Sequence, residues 1–423
     1  MLVKGITPLV TVTVLIGAFA CSNDNHAHGS SGGSNSGGPP RADAGHGLVA
    51  FTPPDDPGAG GVLFSASGEA LALTGYAFPP VQDGDAAFVD GWDMHFQRLL
   101  VTVDKIRLAS SPDTSPGDQS KTGKVVAEVD GPWAIDLAHS DPGYLLGKGG
   151  PGEEAVPIAA LSAQNKNGNG GFATDGTRYA FGFDVVAASS DITPYNVNLD
   201  AAALADYDTM RADGCAVLYV GTATFKGDKT DPDCYPDSRK SWPDVVDFRL
   251  CFKSPTTYAN CQNPDNDPAD PFPDEEHERG IAFKDSSSVI AQVTIHTDHP
   301  FWDSVIHDSP AHFDQFAARV VGADAGTPAA TLEQTVGVDY TAYTDALGNA
   351  LDYRYCVEPP TDAHPKFVGA MRFDPGSVPH ATNDDPASGL RDYHDFSTYD
   401  QSTQGHLNAD GLCYVARRYP SPR

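Results

Sequence analysis

The chain has 423 residues, with 57 acidic against 27 basic side chains and a formal net charge of −30. That balance excludes a phosphate-binding surface for nucleic acid and docking on anionic lipid, while supplying many oxygen ligands for a hard cation such as calcium. Glycine (42) and proline (34) separate short alternating apolar runs, which points to a mainly β protein.

The N-terminus reads as an export signal over residues 1–20. Lys4 precedes the apolar run Ile6–Ala20, which at about 15 residues is too short to span a bilayer. Ala18-Phe19-Ala20 suits ordinary cleavage, and Cys21 follows where a bacterial lipoprotein carries its lipid, although Ala18 stands where leucine is usual. The pattern therefore allows a cell-surface or outer-membrane lipoprotein held by Cys21, or plain secretion. Contact with a membrane is expected through lipid alone. Residues 21–47 form a Gly/Ser-rich linker in which His26, His28 and His46 should be solvated. Residues 48–423 remain, enough for a single large β-rich domain.

Within that domain Ala70–Ala77, Trp92–Leu108 (long or bent), Lys124–Asp130, Tyr179–Ala187, Ala216–Phe225, Val245–Phe252 and Ser288–His296 read as strands. So do Thr335–Tyr343, Ala350–Cys356 and Leu412–Arg418. Helices are expected over Asn198–Ala212, with Asn198 as N-cap, and over Pro300–Gly322, where Pro300 presets the first turn and Pro310 breaks or kinks it. The fold expectation is a large β-sandwich-like domain with one or two short helices and long disulfide-stapled loops. The 226–279 stretch reads as an irregular acidic insertion. Its segment Asn263–Glu276 could wrap calcium, but it lacks EF-hand spacing.

Seven cysteines are present. Setting Cys21 aside leaves Cys215, Cys234, Cys251, Cys261, Cys356 and Cys413, an even set that implies disulfides in an exported chain. Shortest-loop pairing would join Cys215–Cys234, Cys251–Cys261 and Cys356–Cys413.

Histidine is concentrated in Val289–Phe316, VIAQVTIHTDHPFWDSVIHDSPAHFDQF, which holds His296, His299, His307 and His312 beside Trp302. On a strand ending at His296, Val289, Ala291, Val293 and Ile295 share one face, and Ile290, Gln292, Thr294 and His296 share the other. His299 follows at the strand exit, so both imidazoles can converge on one ion, with Asp298 fixing a ring tautomer from outside the ligand set. In Asp90–Phe96, DGWDMHF, Trp92 and Met94 share a face opposite Asp93 and His95. His95 is the expected remote third ligand. Imidazoles without an added carboxylate, in an oxidising compartment, favour copper, then zinc. HExxH, GxSxG and phosphate-loop spacings are absent, and Gly147-Lys148-Gly149-Gly150 lacks the Ser/Thr of a phosphate loop. His364, His380, His394 and His406 read mostly as loop residues.

The stretches DGWDMHFQRLLVTV (Asp90–Val103) and VTIHTDHPFWDSVIHDSPAHFDQFAA (Val293–Ala318) resemble the MopE-type surface copper-binding proteins of methanotrophs and related bacterial lipoproteins. The resemblance implies a β-rich extracellular protein whose copper is held by two histidines and a kynurenine made by oxidising a tryptophan. It would put the ligands at His95, His296 and His299 and the oxidised ring at Trp92 or Trp302. The expected role is capture or storage of copper outside the cell, with any redox partner open. Two other readings compete. One is a metal-dependent hydrolase or oxidase using the same histidines, with Asp298 or Asp303 as base. The other is a calcium-stabilised adhesion or scaffold domain.

Overall fold

Trp92–Ala109 is one continuous strand of 18 residues, formed because large apolar side chains alternate with polar ones along its first half. It is the spine of a 13-stranded sheet. The computed structural model describes residues 42–43 and 46–417, apart from 83, 116–117, 140–144, 151, 164–170, 268–274, 324–328, 358–368 and 382–388. The signal segment, Cys21, His26 and His28 lie outside the described residues. The middle of the spine pairs antiparallel with Val217–Phe225 on one side and Trp133–Asp136 on the other. At Lys105 the backbone turns left-handed (φ 48°), and the ladder with Asp175–Val185 shifts register between Asp104 and Arg107. Such an irregularity bends a strand, and the spine then continues along Val125–Val129.

A second sheet has six strands. Val62–Ser67 and Val289–Ile295 lie parallel at its centre. Gly405–Leu407 flanks the latter and Glu154–Leu161 the former, both antiparallel. Parallel neighbours need a crossover, and here the chain between them contributes most of the large sheet. Phe64 of the small sheet stacks 6.2 Å from Phe181 of the large one, both fully buried; each such ring contributes about 1.5–3 kcal/mol. The architecture is mainly β and sandwich-like. The outer face of the large sheet is covered by the helix Ala201–Asp213, which packs Ala203, Tyr207 and Met210 on Leu100, Ala134 and Leu218.

Several local expectations are corrected. Asp200, not Asn198, caps that helix by accepting from the Ala203 amide at 2.7 Å. Asn198 instead hydrogen-bonds both ways with the Asp136 backbone. Ala70–Ala77 is no strand: Glu69–Thr74 is helical. Alternating leucines imitate a strand there, but Glu, Ala and Leu between two glycines make a short helix. The helix expected over Pro300–Gly322 is reduced to a 3-10 turn at His299–Phe301 and the short pieces Asp314–Ala317 and Ala318–Val320. Thr335–Tyr343 is no strand but follows a 3-10 turn at Leu332–Thr335, and Ala350–Cys356 contributes only isolated bridges at Ala350 and Asp352. The 226–279 stretch holds two strands of the large sheet, Val245–Phe252 and Thr256–Ala259. At the end of the linker, Ala42–Asp43 pairs with Leu48–Val49, and His46 lies 2.5 Å from Asp208 rather than free in solvent.

The six cysteines do pair, but as Cys215–Cys251, Cys234–Cys356 and Cys261–Cys413. Strand register, not loop length, accounts for the first and third of these pairs. Val217 pairs with Phe252, bringing Cys215 beside Cys251. Ala259 pairs with Tyr414, leaving Cys261 and Cys413 at the end of that ladder.

Candidate metal centre

The row Gln292, Thr294, His296 runs along one face of the Val289–Ile295 strand, and all but His296 are fully buried. Such a row needs partners. Gln292 donates to Glu153 at 2.5 Å and to Thr294 at 2.9 Å. The Gly147–Gly150 loop wraps this carboxylate closely: a Cβ on Gly147 or Gly149 would overlap Glu153. That close fit is the structural use of the glycine loop.

Strand pairing adds a histidine that lies far away in sequence. Thr294 is directly opposite His406 on Gly405–Leu407, so His406 shares the face of His296, and their rings lie 4.1 Å apart. His299 begins the 3-10 turn just beyond the strand, its ring 5.4 Å from that of His296 and 5.6 Å from that of His406. His307 sits on an exposed loop closed by the Trp302–Ala311 bridge and turned by left-handed Asp308 (φ 62°). That loop folds back and sets the His307 ring 5.8 Å from His299 and 5.5 Å from His406. Donor nitrogens of His296, His299 and His307 lie within 4.8 Å of one another. Tetrahedral ligation with metal–nitrogen lengths near ~2.1 Å separates donors by about 3.4 Å, so small side-chain rotations close the set.

The environment suits ligation. His299 Nδ1 is 2.7 Å from Thr403 Oγ1, which orients the ring and leaves Nε2 buried with no hydrogen-bond partner. His406 Nδ1 is likewise buried and unpartnered. Burial, reinforced by the neighbouring imidazoles, holds both His299 and His406 well below the ordinary histidine value, so they are neutral donors. His296 is pushed up: burial opposes its charge, but Glu69 and Asp298 outweigh it. Glu69 Oε1 is 3.5 Å from His296 Nε2. Trp302, nearly buried, stacks on His299 with ring centres 3.8 Å apart and planes at 28°. Its Nε1 has no partner.

Of the residues expected at the site, His296, His299 and Trp302 come together, whereas His95 and Trp92 do not join them. His95 is exposed, opposite Thr222, on the face of its strand away from Trp92, Met94 and Phe96. Phe96, Tyr219 and Phe301 fill the inner side in successive edge contacts. Asp298 does not orient His299, since Thr403 does. It lines a cavity of about 190 Å³ with Tyr76 and Asp308. Trp92 is a core residue, donating to Asp314 at 2.9 Å beneath the Arg239 guanidinium.

The two stretches singled out in the sequence do meet, but through Asp90 and Trp92. Asp90 accepts from the Phe313 and Asp314 amides at 2.7 and 2.8 Å. His312 lies 3.9 Å from Asp90 and 3.4 Å from Asp303. Burial and then the Asp314 carboxylate raise Asp90 to about 6.

His406, Thr403, Glu69 and Asp410 escaped sequence reasoning, because only strand pairing brings them to the strand exit. A separate cluster, Asp392, His394 and Asp395, begins the helix Tyr393–Gln401. Its carboxylates are engaged by backbone amides and Arg391. In the described part of the suggested calcium loop, Asp265 pairs with Lys148 and Glu275 with Arg279.

No protein family matches the sequence, and no curated protein or solved structure matches it either. Among the described residues no helix is long and apolar enough to cross a membrane.

Proposed function

We propose that this is an exported, non-enzymatic metal-binding protein that holds one transition-metal ion through His296, His299 and His307, with His406 as a fourth donor. Copper is the first candidate and zinc the second. The observation carrying the reading is the convergence of four imidazoles from separate segments, two of them buried with a nitrogen that no protein group satisfies. An unpaired buried nitrogen costs stability, and a bound ion would remove that cost. Imidazole donors suit copper and zinc, and every described cysteine is held in a disulfide. Three disulfides agree with an oxidising compartment, as does the N-terminal pattern that makes Cys21 the lipid-anchor candidate.

The resemblance to MopE-type proteins favours copper capture at the cell surface. Trp302, stacked on His299, is then the ring to inspect for oxidation. The hydrolase reading gains nothing from Asp303, which is turned to His312. Elemental analysis of protein from its native host, followed by competition titration of the metal-free protein with Cu(I), tests the proposal. One tightly bound copper is expected. Protein that takes up neither copper nor zinc overturns it.

A further inference from the structure

We infer that Glu69 and Asp410, with His296, form a second subsite of harder donors at the mouth of the centre, where a hydrated divalent cation is captured before it passes to the buried imidazoles. The inference rests on the metal-binding reading and adds a route of loading to it. Carboxylate oxygens of Glu69 and Asp410 and a nitrogen of His296 lie within 4.8 Å of one another. His296 thus belongs to both donor groups. Its Nε2 lies 3.5 Å from Glu69 and 3.2 Å from the Ala409 carbonyl.

Two separate pieces of chain build this mouth. Glu69 opens its short helix directly after the Val62–Ser67 strand, its amide held by Ser67 Oγ at 2.9 Å. Asp410 lies in the turn that joins Gly405–Leu407 to Gly411–Leu412. There the left-handed residues Asn408 and Ala409 (φ 52° and 70°) reverse the chain, and the Ala409 carbonyl reaches His296.

Exposure falls from the carboxylates to His299 and His406, while His307 joins the inner donors from an exposed loop. Asp410 is exposed, Glu69 and His296 are half-buried, and His299 and His406 are buried at 0% and 1%. The independent sign of a ligand is His406 itself, whose unpartnered Nδ1 belongs to a ring 4.1 Å from that of His296. Donor chemistry changes in the same direction. Carboxylates with retained water suit an incoming hydrated cation, while imidazoles suit copper or zinc once water is shed. Asp298 and Glu153 add negative charge around Glu69, and a cleft lined by one sign of charge speeds capture.

The test compares metal-free wild type with E69Q/D410N in stopped-flow mixing with Cu(II), read by quenching of tryptophan fluorescence, since Trp302 lies on the centre. Association is expected to slow by about tenfold or more, with a flatter dependence on ionic strength. The control D56N/D237N removes the same charge from exposed positions away from the centre and should load as wild type does. In a second arm H299A/H406A/H307A, which leaves His296 as the one imidazole of the inner set, should keep one weakly held Mn(II), read by electron paramagnetic resonance. Adding E69Q/D410N should abolish it. Loading of E69Q/D410N at the wild-type rate, equal slowing in the control, or no Mn(II) held by H299A/H406A/H307A would each overturn the inference. All three leave the inner site standing. Wild type that binds no metal would instead sink the metal-binding reading, and this subsite with it.

Discussion

His299 and His312 are both fully buried in the segment richest in histidine, yet their surroundings make opposite chemistries. His312 faces carboxylates, Asp303 at 3.4 Å and Asp90 at 3.9 Å, and its value is raised because they outweigh its burial. Those carboxylates favour its charged form. His299 faces other imidazoles and an indole, and burial leaves it neutral. Burial alone therefore says little about a histidine's role. The charge of whatever faces the ring decides whether it joins an ion pair or offers a lone pair to a metal.

The sharpest way to break this contrast is to remove the neutral pair. H299A/H406A should weaken copper binding by about a thousandfold or more, roughly 4 kcal/mol, in a competition titration, while circular dichroism shows the fold intact. Undiminished affinity would place the metal elsewhere. The converse substitution, H312A, should leave copper stoichiometry unchanged but destabilise the protein. It takes from Asp90 and Asp303 the imidazole they face and leaves a cavity among buried groups, and a substitution of this kind costs about 3–5 kcal/mol. Chemical denaturation of the metal-free protein measures it.

The two environments also respond to pH in opposite senses. His299 and His406 sit below their unfolded value of 6.5, so the unfolded chain takes up protons that the folded chain refuses. Their contribution is complete above pH 6.5 and is lost as pH falls below it. His312 sits above 6.5; its contribution is complete below that value and is lost as pH rises through the folded value. Thermal melts of metal-free protein should therefore show a shallower acid decline in H299Q/H406Q than in wild type. H312Q should lose the decline on the alkaline side of 6.5. Parallel profiles for all three proteins would refute the assignment.

What was legible in the sequence was local. Alternation revealed Trp92–Ala109, Val245–Phe252 and Val289–Ile295, because each keeps one apolar face along its length. Histidine density revealed His296 and His299, which are neighbours on one strand exit. The illegible parts depend on which strands pair. His406 reaches the site only because its three-residue strand is in register with Thr294, and nothing around it in sequence marks that. The pairs Cys215–Cys251 and Cys261–Cys413 follow ladder registers in the same way. Glu69 stands just before Ala70–Ala77, a segment whose leucine spacing imitates a strand.

The smallest expected effect is the one that separates strand alternation from histidine counting. His95 is the remote ligand that the sequence leads one to expect, from a stretch whose Asp90 meets the Phe313 and Asp314 amides. Its strand, however, gives Trp92, Met94 and Phe96 to the core and turns His95 to solvent. Because side chains alternate with a period of two, no rotamer change carries His95 through the Phe96, Tyr219 and Phe301 layer to His299. H95A should thus leave copper affinity within about twofold and stability within roughly 0.5 kcal/mol, as for exposed substitutions generally. A loss of affinity approaching that of H299A/H406A would mean that the loaded protein rearranges the sheet, and the contrast drawn from the buried pair would then describe only the metal-free state.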